Sequence, residues 1–265
     1  MSNAENADGQ TSIAARDVFT VIREAGEEEL ARPFTSLFWS GIAAGILISF
    51  SVLTEAYLRA SLPDTEWRFA IENFGYSMGF LLVILGRMQL FTENTITTVI
   101  PAIYERSLKC TVQMLKLWGI VLFANVIGAF VAAAFMAFSS GLSAEVVGIV
   151  NDLSKHATGY GFSESLVRGI PAGILIAAIV WMIPSAPSAQ VLIVILFTWL
   201  IAMGDFTHVV AGSVEMAFLI LTGQMGIIEG FTVFFVPTFL GNVIGGTVIF
   251  TLLAWAQVKL EVEKD

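Results

Sequence analysis

Six apolar stretches limit what this chain can fold into. They lie near residues 34–58, 71–103, 111–138, 166–183, 191–221 and 229–258. Each is long enough to cross a bilayer, which takes about 20 residues of helix. In hydrocarbon every backbone polar group must find its partner within the protein, so a spanning segment is a helix or part of a closed barrel. Runs this long read as helices. The expectation is an all-α membrane protein with six transmembrane helices. Only 13% of the 265 residues are charged, against about a quarter in a soluble domain.

The spans divide the chain. Residues 1–33 form an N-terminal tail whose stretch 11–33 reads as an amphipathic, charged helix outside the membrane or on its surface. Residues 34–258 form the membrane domain, and 259–265 a short C-terminal tail. The longest connection, 139–164, carries Glu145, Asp152, Lys155 and His156. Much of the net charge of −9 sits at the two ends, in Glu24, Glu27, Glu28 and Glu29 and in Glu261, Glu263 and Asp265. Those are solvated ends rather than a substrate-attracting surface. The first thirty residues, polar and acidic, do not read as a secretory signal.

Lys and Arg set the expected orientation. With both termini cytoplasmic, the inside segments hold Arg16, Arg23, Arg32, Arg106, Lys109, Lys116, Lys259 and Lys264. The outside segments hold Arg59, Arg68, Lys155 and Arg168. The inside excess favours cytoplasmic termini.

Spans two and five are longer than one crossing requires, and each contains a polar interruption. One is RMQLFTENTITT, 87–98; the other is GDFTHVVAGSVE, 204–215. Such segments survive at membrane depth only where they are buried in protein or line a cavity. The interruptions echo each other: Phe91-Thr92 and Phe206-Thr207 lie 115 residues apart (206 minus 91), and NVIGA at 125–129 and NVIGG at 242–246 lie 117 apart (242 minus 125). Two near-equal offsets imply a duplicated unit of three spans. Three is odd, so the halves insert in opposite orientations, and matched broken helices mark a transport path at the repeat interface. Four glycine pairs spaced at four, Gly41/Gly45, Gly75/Gly79, Gly169/Gly173 and Gly241/Gly245, put both glycines on one helix face and allow close backbone approach.

The ionisable residues in these interruptions are Arg87, Glu93, Asp205, His208 and Glu215. Such residues in a membrane face a cavity or pair with one another. Arg87 and Glu93 are candidates to pair with each other, or with Glu215 and Asp205. His208 stands out because imidazole changes charge near neutral pH; it can hydrogen-bond an anion, protonate it or attract it. Its bland alternative is a hydrogen-bonded core histidine. Thr92 and Thr207 place small hydroxyls beside the breaks, and the freed N–H groups of half-helices favour anions. Leu90 and Phe91 precede Thr92, so apolar plugs alternate with polar contacts. The single Cys110 excludes an intrachain disulfide. Two histidines are too few for most zinc sites, no phosphate loop or nucleophile elbow is present, and no basic patch suits nucleic acid. No enzyme, metal or cofactor is expected.

QLFTENT at 89–95, the histidine after GDFT, and GNVIGG at 241–246 together resemble the formate/nitrite transporter family, and in particular its YfdC-like branch, over roughly residues 20–258. The resemblance implies an aquaporin-like inverted repeat, broken spans two and five, and a homopentamer in the cytoplasmic (inner) membrane with one path per protomer for small monovalent anions such as formate or nitrite, often moved with a proton. By position it assigns Leu90, Phe91 and Ile176 to a cytoplasmic constriction and Tyr76, Phe80 and Ile201 to a periplasmic one. Thr92, Thr207 and His208 lie at the centre. The chain departs from the family at three places. Gln89 stands where an acid precedes LFT, Thr207 where formate channels carry an acid before the histidine, and Gly173 where they carry an asparagine. The vestibule lysine has no clean match, with Lys155 near it. Arg87, Glu93, Asp205 and Glu215 are additions of this branch. Alternative readings are an aquaporin-like pore for neutral solutes and a non-conducting membrane partner or sensor.

Overall fold

The structure, a computed structural model, describes residues 13–262. The outer parts of both tails, including Glu263, Lys264 and Asp265, lie outside the described residues. The chain is helical throughout this range: α1 (Ala15–Ala31), α2 (Phe34–Ser61), α3 (Arg68–Leu85), α4 (91–105), α5 (Leu108–Phe138), α6 (Ala144–Thr158), α7 (Phe162–Ser185), α8 (Pro187–Met203), α9 (Val209–Leu221) and α10 (Ile227–Val262). Five of these, α2, α3, α5, α7 and α10, are apolar and long enough to cross a membrane, while α8 and α9 are shorter apolar helices.

The expected second span is α3 plus α4, and the expected fifth is α8 plus α9. The interruptions are tighter than the polar stretches suggested. The breaks proper are residues 86–90 and 204–208, so Glu93 and Glu215 sit on helices. The connection 139–164 is not open loop but holds α6, capped by the Ser143 hydroxyl, which accepts the Val146 N–H at 3.3 Å. Helix α10 runs on through the boundary expected at residue 258. Its winding loosens to π-helix at Gly230–Phe235 and Ile244–Thr251. The first of these precedes Pro237, which has no N–H to continue the ordinary ladder.

Glycines set the closest helix contacts. A Cβ on Gly45 would overlap the Asn125 carbonyl oxygen, and one on Gly173 would overlap that of Asn242. Gly128 faces the Ile42 carbonyl and Gly245 the Ile170 carbonyl in the same manner. So α2 packs on α5 as α7 packs on α10. In lipid, where exclusion from water contributes little between helices, this close backbone approach supplies the van der Waals contact that holds them.

Helix α1 packs across one end of the bundle instead of lying free. Val18, Phe19 and Ile22 are buried against Ile96, Ile100, Trp255 and Val258. For a charged helix outside the apolar spans this is ordinary hydrophobic burial, about 1.5–3 kcal/mol for each large side chain.

Candidate functional site

The two breaks share one local geometry. In each, the second residue turns left-handed, Arg87 at φ 52° and Asp205 at φ 49°. That conformation costs a non-glycine residue about 1–2 kcal/mol. The next N–H then reaches back five residues: Met88 N to Val83 O at 2.9 Å, and Phe206 N to Ile201 O at 3.0 Å. The last residue of each break is extended and begins the next helix, Leu90 at φ −102° and His208 at φ −118°.

An asparagine from another helix closes each break. Asn125 Oδ1 accepts the Phe91 N–H at 3.0 Å, while its Nδ2 donates to the carbonyls of Gly41 and Gln89, both at 2.8 Å. Asn242 Oδ1 accepts the Val209 N–H at 2.9 Å, and its Nδ2 donates to Gly169 O at 2.8 Å and Thr207 O at 2.9 Å. Each buried amide thus satisfies two backbone groups at its break and ties them to a carbonyl of α2 or α7.

The matched positions lie 118 residues apart (205 minus 87; 209 minus 91), and the asparagines 117 apart. This corrects the Phe-Thr echo at 115, which is not the structural register; the Asn-Val-Ile-Gly echo is. Leu90 corresponds to His208, and Gln89 to Thr207. The two positions where the resemblance expected acids are therefore counterparts.

The breaks meet at their centre. Thr92 Oγ1 and His208 Nε2 lie 2.8 Å apart, both residues buried. His208 Nδ1 accepts the Ala211 N–H at 3.2 Å, so the imidazole caps α9. The hydrogen-bond network therefore assigns the neutral ring's proton to Nε2, where it donates to Thr92 Oγ1. The Thr92 hydroxyl proton is left to donate elsewhere. The backbone N–H groups of Thr92 and Val210, again 118 apart, make no hydrogen bond among the described residues. Thr207, the third residue expected at the centre, spends its hydroxyl on Ser165 O at 2.7 Å.

The residues expected at the two constrictions lie around this centre. On one side Phe80 meets the His208 ring edge-on at 5.0 Å and Tyr76 at 5.3 Å. Tyr76 and Ile201 line a cavity of about 70 Å³ that reaches His208. That is room for a few heavy atoms, far less than a metabolite-sized pocket. On the other side Leu90 lines a cavity of about 330 Å³. Phe91 packs edge-on to Trp118 at 5.4 Å, and Ile176 is fully buried in the same apolar cluster as Leu90 and Phe91.

The charged residues separate by side. Arg87 and Glu93 line the Leu90-side cavity with Glu29 of α1 and Gln89. Asp205 and Glu215 line the His208-side cavity. Pairing between the two groups is thereby excluded, and no ion pair joins Arg87 to Glu93 among the described residues. Asp205 instead binds His156, Nε2 to Oδ1 at 2.8 Å, and its carbonyl accepts from Arg168 at 3.4 Å. Gln89 donates to Glu29 Oε2 at 2.6 Å. Lys155 faces a third cavity with Glu229.

Sequence reasoning missed Glu55 and Arg59. Both line the His208-side cavity from α2, and Arg59 binds Glu72 at 2.6 Å. A carboxylate inside a long apolar helix was the available signal. It also missed the two asparagines as braces, although their sequence echo was visible.

The formate/nitrite transporter family model matches residues 16–256. The chain belongs to the formate/nitrite transporter family. It is therefore a membrane channel or transporter. It is 39% identical over 242 residues to the inner membrane protein YfdC of Escherichia coli strain K12, covering 90% of this chain and 77% of that protein. Among solved structures it is similar to a pentameric formate channel with formate bound (TM-score 0.71, 20% identity, 89% of this chain and 99% of that one). It is also similar to an ion channel of the same family (TM-score 0.76, 17% identity, 92% and 98%). At those identities the likeness is one of fold.

Proposed function

We propose that this protein forms a homopentamer in the cytoplasmic membrane, with both termini inside. Each protomer would cross six times as an inverted repeat of three spans and carry its own path for a small monovalent anion, formate or nitrite in kind, or for its neutral acid. The Thr92–His208 contact carries this reading. It joins two broken helices where two cavities approach from opposite sides.

Chemistry at that contact favours a small anion. The Thr92 hydroxyl and the unbonded N–H groups of Thr92 and Val210 are donors without acceptors, at the starts of two half-helices. On either side the apolar rings and side chains of Phe80, Leu90 and Phe91 exclude hydrated ions and admit a species that sheds water easily. Proton coupling enters through His208 or its neighbours.

The test is a flux panel on purified protein in liposomes. Formate, nitrite, acetate, lactate, chloride, hydrosulfide and fluoride are compared with glycerol at two pH values. Flux of formate or nitrite well above that of empty liposomes supports the reading. Glycerol permeation without anion flux contradicts it. A native mass of five 28.6 kDa chains tests the assembly.

A further inference from the structure

Two carboxyls in the His208-side cavity have no task in the reading above. Glu55 comes from α2 and Glu215 from α9; they are 8% and 7% exposed, and both line the cavity that ends at His208. Neither forms an ion pair or hydrogen bond among the described residues, and both face the same small cavity.

Among the described residues Arg59 offers Glu55 an opposite charge but forms no ion pair with it. Arg59 is committed to Glu72, which also faces Arg68 at 3.5 Å. From α6 and the turn after it come His156, held by Asp205, and Tyr160, whose ring lies under Arg168 at 4.2 Å. Tyr76 adds a phenol from α3, and α10 adds only the apolar Phe234 to this wall. Lys155 and Glu229 face a neighbouring cavity, and Glu93 of α4 faces the opposite one. Helix α5 contributes nothing to this wall.

Two carboxylates without ion-pair partners in so small a space repel each other and would turn away an incoming anion. A carboxylic acid there does the reverse. We propose that Glu55 and Glu215 are the proton donors for anions entering from the Asp205 side. The O–H bond of one carboxyl breaks as an O–H bond forms on the substrate. The neutral acid moves on past Tyr76, Phe80 and Ile201 to His208. The carboxylate left behind, held in check by its protonated partner, takes its next proton from water at the Asp205 mouth. One proton thus travels with each anion. His208 is poorly placed for this task, because Nδ1 holds the Ala211 N–H and the Nε2 proton is given to Thr92.

This inference rests on the transport reading and assigns its proton source. The experiment measures formate uptake into liposomes, with the empty-liposome background subtracted, for the full-length protein and the variants Glu55→Gln, Glu215→Gln and both together. Between about pH 7.5 and about pH 5.5 the unaltered protein should speed up at least fivefold, roughly, and the double variant less than about twofold. An undiminished rise in the double variant overturns the proposal. Absence of any uptake by the unaltered protein overturns the transport reading, and this one with it.

If the glutamine variants fail to assemble, the unaltered protein is treated with dicyclohexylcarbodiimide, which attaches to protonated carboxyls in apolar surroundings. An adduct mapped to Glu55 or Glu215, with loss of the pH-dependent rise, supports the assignment. No adduct at either residue, or an adduct with the rise intact, overturns it.

Discussion

Thr92 and His208, 116 residues apart in the chain, meet at 2.8 Å. Each stands at the start of a half-helix, one from either half of the chain. Because His208 Nδ1 is occupied as a helix cap, the Thr92 hydroxyl is the acceptor for the remaining ring proton. The contact therefore fixes the imidazole tautomer and leaves the Thr92 hydroxyl proton free to donate elsewhere.

Thr92→Val keeps the side-chain volume but removes the acceptor. A buried N–H then goes unsatisfied, at a cost of about 1–3 kcal/mol. The melting temperature in detergent should fall and uptake should drop sharply, while Thr92→Ser should keep most of both. A Thr92→Val protein as stable and active as the original contradicts the assignment.

Asn125→Ala and Asn242→Ala should destabilise to a similar degree. Each removes one accepted and two donated bonds to backbone, leaving buried groups worth about 2–4 kcal/mol together. Thermal unfolding of the two variants side by side checks it. A large loss for one and none for the other would mean the breaks are not equivalent.

Glycine position decides the outcome of adding a methyl. Gly45→Ala and Gly173→Ala drive a Cβ into the carbonyls of Asn125 and Asn242 and should cost about 1–3 kcal/mol each. Gly119→Ala and Gly148→Ala meet open space on helices and should be neutral or stabilising by up to about 1 kcal/mol. Unfolding in one detergent ranks the four.

The left-handed residues respond to backbone freedom. Arg87→Gly should raise stability by up to about 1 kcal/mol, since glycine takes φ 52° without strain. Arg87→Val should lower it, because a branched Cβ resists that conformation. Melting curves of the pair separate this backbone effect from loss of the guanidinium, which both variants share.

The sequence was most readable where a physical constraint acts on many residues at once. Span length, the overlong second and fifth stretches and the glycine spacing all follow from hydrocarbon thickness and close packing, and five of the helices are apolar and long enough to cross a membrane. The Asn-Val-Ile-Gly echo was legible because both asparagines do the same job of bracing a break. The Phe-Thr echo misled: in structural register Leu90 matches His208, so composition similarity had slipped by three residues. Break width was illegible, since Glu93 and Glu215 are polar yet helical, and polarity alone does not mark where a helix ends. Charge pairing failed for a similar reason. Arg87 and Asp205 occupy equivalent positions in the two breaks, but each lines its own cavity.

Formate uptake into liposomes by the His208→Phe protein, beside the unaltered protein across a range of pH, tests the transport centre most directly. Phenylalanine keeps a ring between Phe80 and Thr92 but removes both nitrogens. Uptake should collapse at every pH while the protein's native mass is unchanged. Unchanged uptake at every pH would contradict a transport centre at His208.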